Sequence, residues 1–259
     1  MNPKFVVPYR KSGKNDTNDA EAICEAVGRP NMRFAPIKSV EQQAVCSLHT
    51  GRQFLVVQRT ALINHCRGLL AEFGIIMPQG ADKVRRLFTK ILADENASVP
   101  LFLKDLLQQH LQDLARLEQR IESIDKQLAA WAKTNHQATT LLQMLGVGVI
   151  TATAFAAGVC DAKSFDNGRQ FSAWIGLVPR QYSSGGKNKL GSITKAGDVY
   201  LRTMLAQGAR SIVFNAKKKS DPFSLWIQRL LERAGMNKTV IAVAAKQARI
   251  MWAIMAKNQ

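Results

Sequence analysis

The 259-residue chain is long enough for one large or two ordinary domains, and its 46% hydrophobic content is that of a folded protein. With 36 Lys+Arg against 19 Asp+Glu it carries a formal +17, which points to a polyanionic partner, nucleic acid first and an anionic membrane surface second. The excess is localised, because the stretch from Arg180 onward holds 15 Lys/Arg and 3 Asp/Glu. Cys24, Cys46, Cys66 and Cys160 form no C-x-x-C pair, and His49, His65, His110 and His136 do not cluster with them, which argues against zinc and disulfides. No apolar run has bilayer-spanning length and the first residues lack a signal-peptide pattern, so the expectation is a cytoplasmic protein with no membrane partner.

In chain order, Phe5-Val6-Val7 between Pro3 and Pro8 reads as a short β-type run, followed by polar sequence and a helix over Ala20 to Val27. A lone strand is not stable, so this pattern implies that the chain begins in mid-domain. From Val40 to Phe73, Ala44, Leu48, Leu55, Leu62, Leu69 and Phe73 recur at three-, four- and seven-residue intervals, predicting one long amphipathic helix with Gly51 its weak point. Leu107, His110, Leu114, Leu117, Ile121, Ile124, Leu128 and Trp131 then form a heptad seam. Its helix would span about 37 Å and suits an antiparallel pair or a dimer contact. Beyond Thr134, short apolar segments broken by glycine predict a second compact, mostly helical domain, with helices near Asp198 to Asn215 and Lys238 to Ala256. The expected division is 1–38, 39–134 and 135–259.

Four constellations could carry chemistry. Asp16 and Asp19 stand three apart at a helix start, where they could share one face and offer two hard oxygens to Mg²⁺. From spacing alone the simpler reading is an N-cap at Asp16 with its capping-box partner Asp19 at N3. The segment from Gly176 to Lys189, then Gly191 to Gly197, sets Ser184 beside two glycines with Arg180, Lys187, Lys189 and Lys195 around it, which suits a phosphate. It departs from the P-loop pattern, reads otherwise as a lysine-rich surface loop, and holds no histidine to activate a serine. Gly146-Val147-Gly148 is a tight turn between apolar helical stretches: either a helix-hairpin-helix-like phosphate contact or a packing turn. Arg52 and Arg59, one heptad apart, and Arg67 could grip a phosphate backbone or form a solvated stripe.

Taken in order, K-N-D-T-N-D-A, the heptad helix, L-Q-M-L-G-V-G-V-I, F-S-A-W-I-G-L-V-P-R-Q-Y-S-S-G-G and S-I-T-K-A-G-D-V-Y-L-R, whose last residue is Arg202, resemble the DEDD-type insertion-sequence transposases of family one-ten, subgroup eleven-eleven. The resemblance covers essentially the whole chain, and the Ser-Gly and Thr-Lys-Ala-Gly segments are its most specific part. It implies a mainly α chain: a remnant of an RNase H-like α/β domain, a helical coiled-coil region, and a C-terminal transposase domain with the serine loop. It implies that Asp16 and Asp19 are the closing pair of a Mg²⁺-binding acidic set and that Ser184 forms a transient phosphoserine link to a DNA strand. It further implies a structured guide RNA and homo-oligomers formed through the coiled coil. The family's first Asp and its Glu have no counterpart in this sequence, so the expectation is a chain truncated at its front and unable to cleave DNA alone.

Two other function classes fit the same residues. A non-catalytic coiled-coil protein would bind nucleic acid with steep salt dependence and no reaction. A metal-dependent nuclease would need Asp16 and Asp19 and tolerate loss of Ser184.

Overall fold

The computed structural model describes residues 1, 3–30, 32, 34, 36–77, 80–94, 99–183, 187 and 189–257, the side chains of 81 and 82 aside. The chain forms two compact units, Met1–Ser39 and Val40–Gln259, and it is mainly α-helical with two short strands among the described residues. The 39–134 and 135–259 segments therefore fold together in one unit.

In the first unit, the Phe5-Val6-Val7 run is not a strand. Pro3–Val6 forms one helical turn (α1), and Val7–Tyr9 a 3₁₀ turn. The β-branched residues favour extended backbone, but no described residue of this unit offers a ladder to pair with, so the amides close local turns instead. Helix α2, Asp16–Val27, is capped by Asn15, whose side chain accepts from the Asn18 amide at 2.7 Å. The cap thus falls one residue before Asp16, and Ala22 and Ala26 line the buried face.

The second unit is built on α3, Val40–Ala71, and α5, Leu101–Thr134. The two run antiparallel: Val45 packs with Leu128, while Cys66 and Leu70 share a cluster with Leu107 and Leu114. The heptad positions Leu107, Leu114, Ile121 and Leu128 are all buried, so α3 of the same chain fills the seam. Gly51 leaves α3 unbroken, in keeping with a cost of only about 1 kcal/mol for a helical glycine. Between the long helices lies α4, Ala81–Ala93, absent from the sequence reading although Val84, Phe88 and Ile91 are spaced for one buried face.

The C-terminal elements are α6 (His136–Leu141), α7 (Val149–Gly158), α8 (Gly168–Ile175), β1 (Pro179–Gln181), β2 (Leu190–Ile193), α9 (Val199–Ala216), α10 (Pro222–Ala234) and α11 (Met236–Lys257). Helix α7 is the centre: Thr151 through Ala157 are all buried, which is why its sequence is apolar all round. Helix α11 has the length and apolar composition to cross a membrane. Here it packs on α8, α9 and α10 and buries Val240, Val243, Ala244, Ala248, Met251 and Met255, as a core helix does.

A buried polar chain joins the long pair to this core. His49 of α3 is 4% exposed, with Nδ1 3.0 Å from the Tyr200 hydroxyl of α9 and Nε2 3.0 Å from Thr153 Oγ1 of α7. Thr153 donates its own proton to the Val149 carbonyl at 2.8 Å, so His49 must donate to it through Nε2 and accept from Tyr200 at Nδ1. Arg52 donates to both Asp125 carboxylate oxygens of α5, at 2.5 and 3.2 Å. Four helices are thereby locked by one set of donors and acceptors.

Burial, with the Arg52 charge nearby, pushes the His49 imidazole down to about 4 from its ordinary 6.5. The unfolded chain therefore takes up this proton first as pH falls. The stabilisation is complete above pH 6.5 and is lost between about 6.5 and 4. That drop amounts to roughly 3 kcal/mol from this one group. His49→Gln, with no proton to take up, is expected to be less stable at pH 7 by about 1–3 kcal/mol. Its unfolding free energy should also change less than the wild type's over that acid range, as measured by urea titration at stepped pH.

Candidate nucleic-acid interface

The basic segment contains an antiparallel pair in which β1 pairs with β2, Pro179 opposite Ile193 and Gln181 opposite Leu190. Every β1 residue and most of β2 is exposed, so the ribbon presents both faces to solvent. The Tyr182 amide extends the ladder by donating to the Lys189 carbonyl at 2.8 Å, and a Cβ on Gly191 would lie 2.9 Å from the Tyr182 ring. Arg180, Lys187 and Lys189 are exposed along this ribbon, and Ser183 accepts from Gln181 Nε2 at 2.9 Å. Ser184 lies outside the described residues, as do Gly185, Gly186 and Asn188.

The base of the hairpin is fixed tightly. Gly176 ends α8 in the left-handed region at φ 82°, where a Cβ would come 2.6 Å from the Ala196 amide. Lys195 holds φ 55°, unusual for a residue with a side chain, and its amide donates to the Gly176 carbonyl at 3.1 Å. Gly197 sits so close to α8 that a Cβ would lie 1.9 Å from the Trp174 carbonyl. Arg202 turns inward and donates to the Ile175 and Gly197 carbonyls at 3.0 and 3.1 Å. Asp198 then caps α9 by accepting from the Tyr200 and Leu201 amides at 2.7 and 3.1 Å. The Thr-Lys-Ala-Gly-Asp segment thus aims the ribbon, and Asp198 before a helical stretch was a readable cap signal.

The remaining candidates have other surroundings. Arg52 is committed to Asp125 of α5. Arg59 is half-buried on α3, with no hydrogen-bond partner to its Nε. Gly146 has φ 75°, and a Cβ there would lie 2.7 Å from Ile212 of α9, while Gly208 of α9 rests against the Gly146 carbonyl. The Leu145 carbonyl accepts from Gln247 Nε2 at 2.6 Å and the Val147 amide donates to Met144 at 3.2 Å. Packing therefore accounts for this turn, and Gly148 beyond it begins α7 with open space around its Cα. Asp16 is exposed on the first turn of α2, and Asp19 pairs with Arg10 at 3.4 Å. Two carboxylates are the right donors for Mg²⁺, but among the described residues no group of three or more acidic, His or Cys side chains could hold an ion. The described residues alone do not make a closed metal site.

Sequence reasoning missed His49, Thr153 and Tyr200 because nothing local distinguishes a buried histidine on an amphipathic helix from an exposed one.

Residues 138–224, which include α7, α8, the hairpin and α9, match the family described as Transposase IS116/IS110/IS902 family. Over 99% of its length the chain is 47% identical to a "Probable family 20 transposase" of Pseudomonas aeruginosa, covering 76% of that protein. It is 44% identical over its full length to the transposase for insertion sequence element IS1111A of Coxiella burnetii, covering 71% of it. Against the transposase for insertion sequence element IS1328 of Yersinia enterocolitica the figures are 40% identity over 98% of the chain and 75% of the relative. Similarity of this extent defines an insertion-sequence transposase. The chain belongs to the IS116/IS110/IS902 family.

The hairpin base yields a direct contrast. Gly197→Ala, which forces a Cβ onto the Trp174 carbonyl, is expected to cost at least about 1–3 kcal/mol. Gly148→Ala, with nothing within 4 Å, should stay within about 0.5 kcal/mol of wild type in the same denaturant titration.

Proposed function

We propose that this chain serves an insertion-sequence transposase whose nucleophile is Ser184, and that with Asp16 and Asp19 as its only assigned metal ligands it does not cleave DNA alone. The observation that carries the reading is the family's similarity through the ribbon, whose Arg180, Lys187 and Lys189 are exposed and stand close to this serine in the sequence. Attack of the Ser184 oxygen on a backbone phosphorus forms a phosphoserine as one P–O bond breaks and a sugar hydroxyl departs. A hydroxyl of a second strand then displaces the serine and restores a phosphodiester. Fixed cations beside the phosphate offset the charge that develops on its oxygens. Asp16 and Asp19 contribute two oxygens toward Mg²⁺, and a structured guide RNA selects donor and target. Self-association belongs to the same reading. With the α5 seam filled by α3, it falls to the outer face of α3, where Phe54 and Val57 are exposed.

A second reading, nucleic-acid binding without strand chemistry, is favoured by the carboxylate pair, which no third candidate ligand joins among the described residues. One assay separates the two. In the intact enzyme, with element-end DNA, guide RNA and Mg²⁺, Ser184→Ala is expected to lower the yield of covalent protein–DNA adduct by roughly 100-fold or more while leaving DNA affinity within about twofold. Ser183→Ala should leave both unchanged. An adduct at wild-type level in the Ser184 variant rules out the nucleophile, and DNA binding with no adduct from the unsubstituted intact enzyme selects the second reading.

A further inference from the structure

A second basic surface lies along α11, separate from the hairpin. Trp226 of α10 and Lys246, Arg249, Ile250 and Lys257 of α11 line an open groove of about 660 Å³. Phe223 and Trp226 are stacked, with ring planes 12° apart, and Lys246 Nζ stands 4.5 Å from the Trp226 ring centre and 5.1 Å from that of Phe223. Ile250, 42% exposed, forms part of an apolar floor, and none of the lining residues is acidic. Arg249 also borders a second depression of about 390 Å³ with Arg169 and Trp252, so the two continue one another along the helix. The core packing of α11 explains its buried face and leaves this outer stripe without a role.

We infer that this groove binds a single-stranded segment of nucleic acid, an inference that rests on the proposed action on DNA and names a site beyond the hairpin. Lys246, Arg249, Lys257 and Arg169 along the groove match a chain with a negative charge at each residue. The apolar floor and Trp226 require that chain to offer flat, accessible base faces as well, and a duplex hides those faces in its stack. A second copy of this chain would bring the same cations to face their equals. An anionic membrane matches the charge but offers no base faces to the aromatic pair Phe223 and Trp226.

The test uses the full chain, a fluorescent oligo(dT) 20-mer and a duplex of equal length, with binding read by anisotropy at several salt concentrations. The triple variant Lys246→Gln, Arg249→Gln, Lys257→Gln is expected to weaken oligo(dT) binding about tenfold or more. It should also reduce the slope of log K against log salt by up to about 2, at roughly 0.7 for each single-strand phosphate that the variant leaves unneutralised. A control that removes the same charge from the exposed turn after α9, Lys217→Gln, Lys218→Gln, Lys219→Gln, should change affinity less than threefold. Circular dichroism and melting of each variant separate loss of binding from loss of fold, and Lys246→Arg alone should keep wild-type affinity. Equal losses in triple variant and control overturn the groove, as does a triple variant that binds oligo(dT) like wild type. So does loss of only anionic-vesicle binding or only self-association in the triple variant. If the wild-type chain binds neither oligonucleotide, the action on DNA itself fails.

Discussion

The register of the larger unit depends on the polar contacts of α3, in which buried His49 holds Tyr200 and Thr153 while Arg52 holds Asp125. Apolar contacts around Val45, Leu128 and Ala157 bring the helix pair against the C-terminal helices, but such contacts tolerate small slips. Directional hydrogen bonds do not. His49 has one acceptable orientation, and removing Tyr200 or Thr153 leaves one of its buried ring nitrogens without a partner. The lock sits in the same helix as the hairpin's anchor: Tyr200 lies two residues after the Asp198 cap and two before Arg202, which holds the hairpin base. The long helices and the basic ribbon are thus registered to each other through the first turn of α9.

That arrangement explains why the Thr-Lys-Ala-Gly-Asp segment is so constrained in composition. Lys195 occupies a left-handed backbone, Gly197 has no room for a side chain, and Asp198 satisfies amides that α9 would otherwise leave bare. None of these three needs to touch DNA to matter. They determine where the exposed cations of the ribbon point.

Much of the architecture was legible in the residues. The heptad leucines of α5 and the seven-residue recurrences of α3 mark long helices whatever their partner, because periodicity reports which face is buried and not what buries it. For the same reason the sequence could not say that α3 fills the α5 seam. Phe5-Val6-Val7 misled because β-branched residues express a preference that only a neighbouring strand can realise, and α4 escaped notice although its apolar spacing was plain. At the candidate site, the exposure of Arg180, Lys187 and Lys189 agrees with a basic surface segment. The inward turn of Arg52 could not be read from the sequence, since an arginine one heptad from another looks the same whether it meets a phosphate or Asp125.

The antiparallel pair has a mechanical consequence. A helix of 32 residues is about 48 Å long, and α3 is tied to the core near its beginning, at His49 and Arg52, while α4 packs with the pair at its other end. Such a beam is stiff along its length and anchored at one end. A force on the distal end reaches the lock as torque about Tyr200, and from there the root of the ribbon. The pair can therefore act as a lever arm that reports, at the hairpin, what happens several nanometres away.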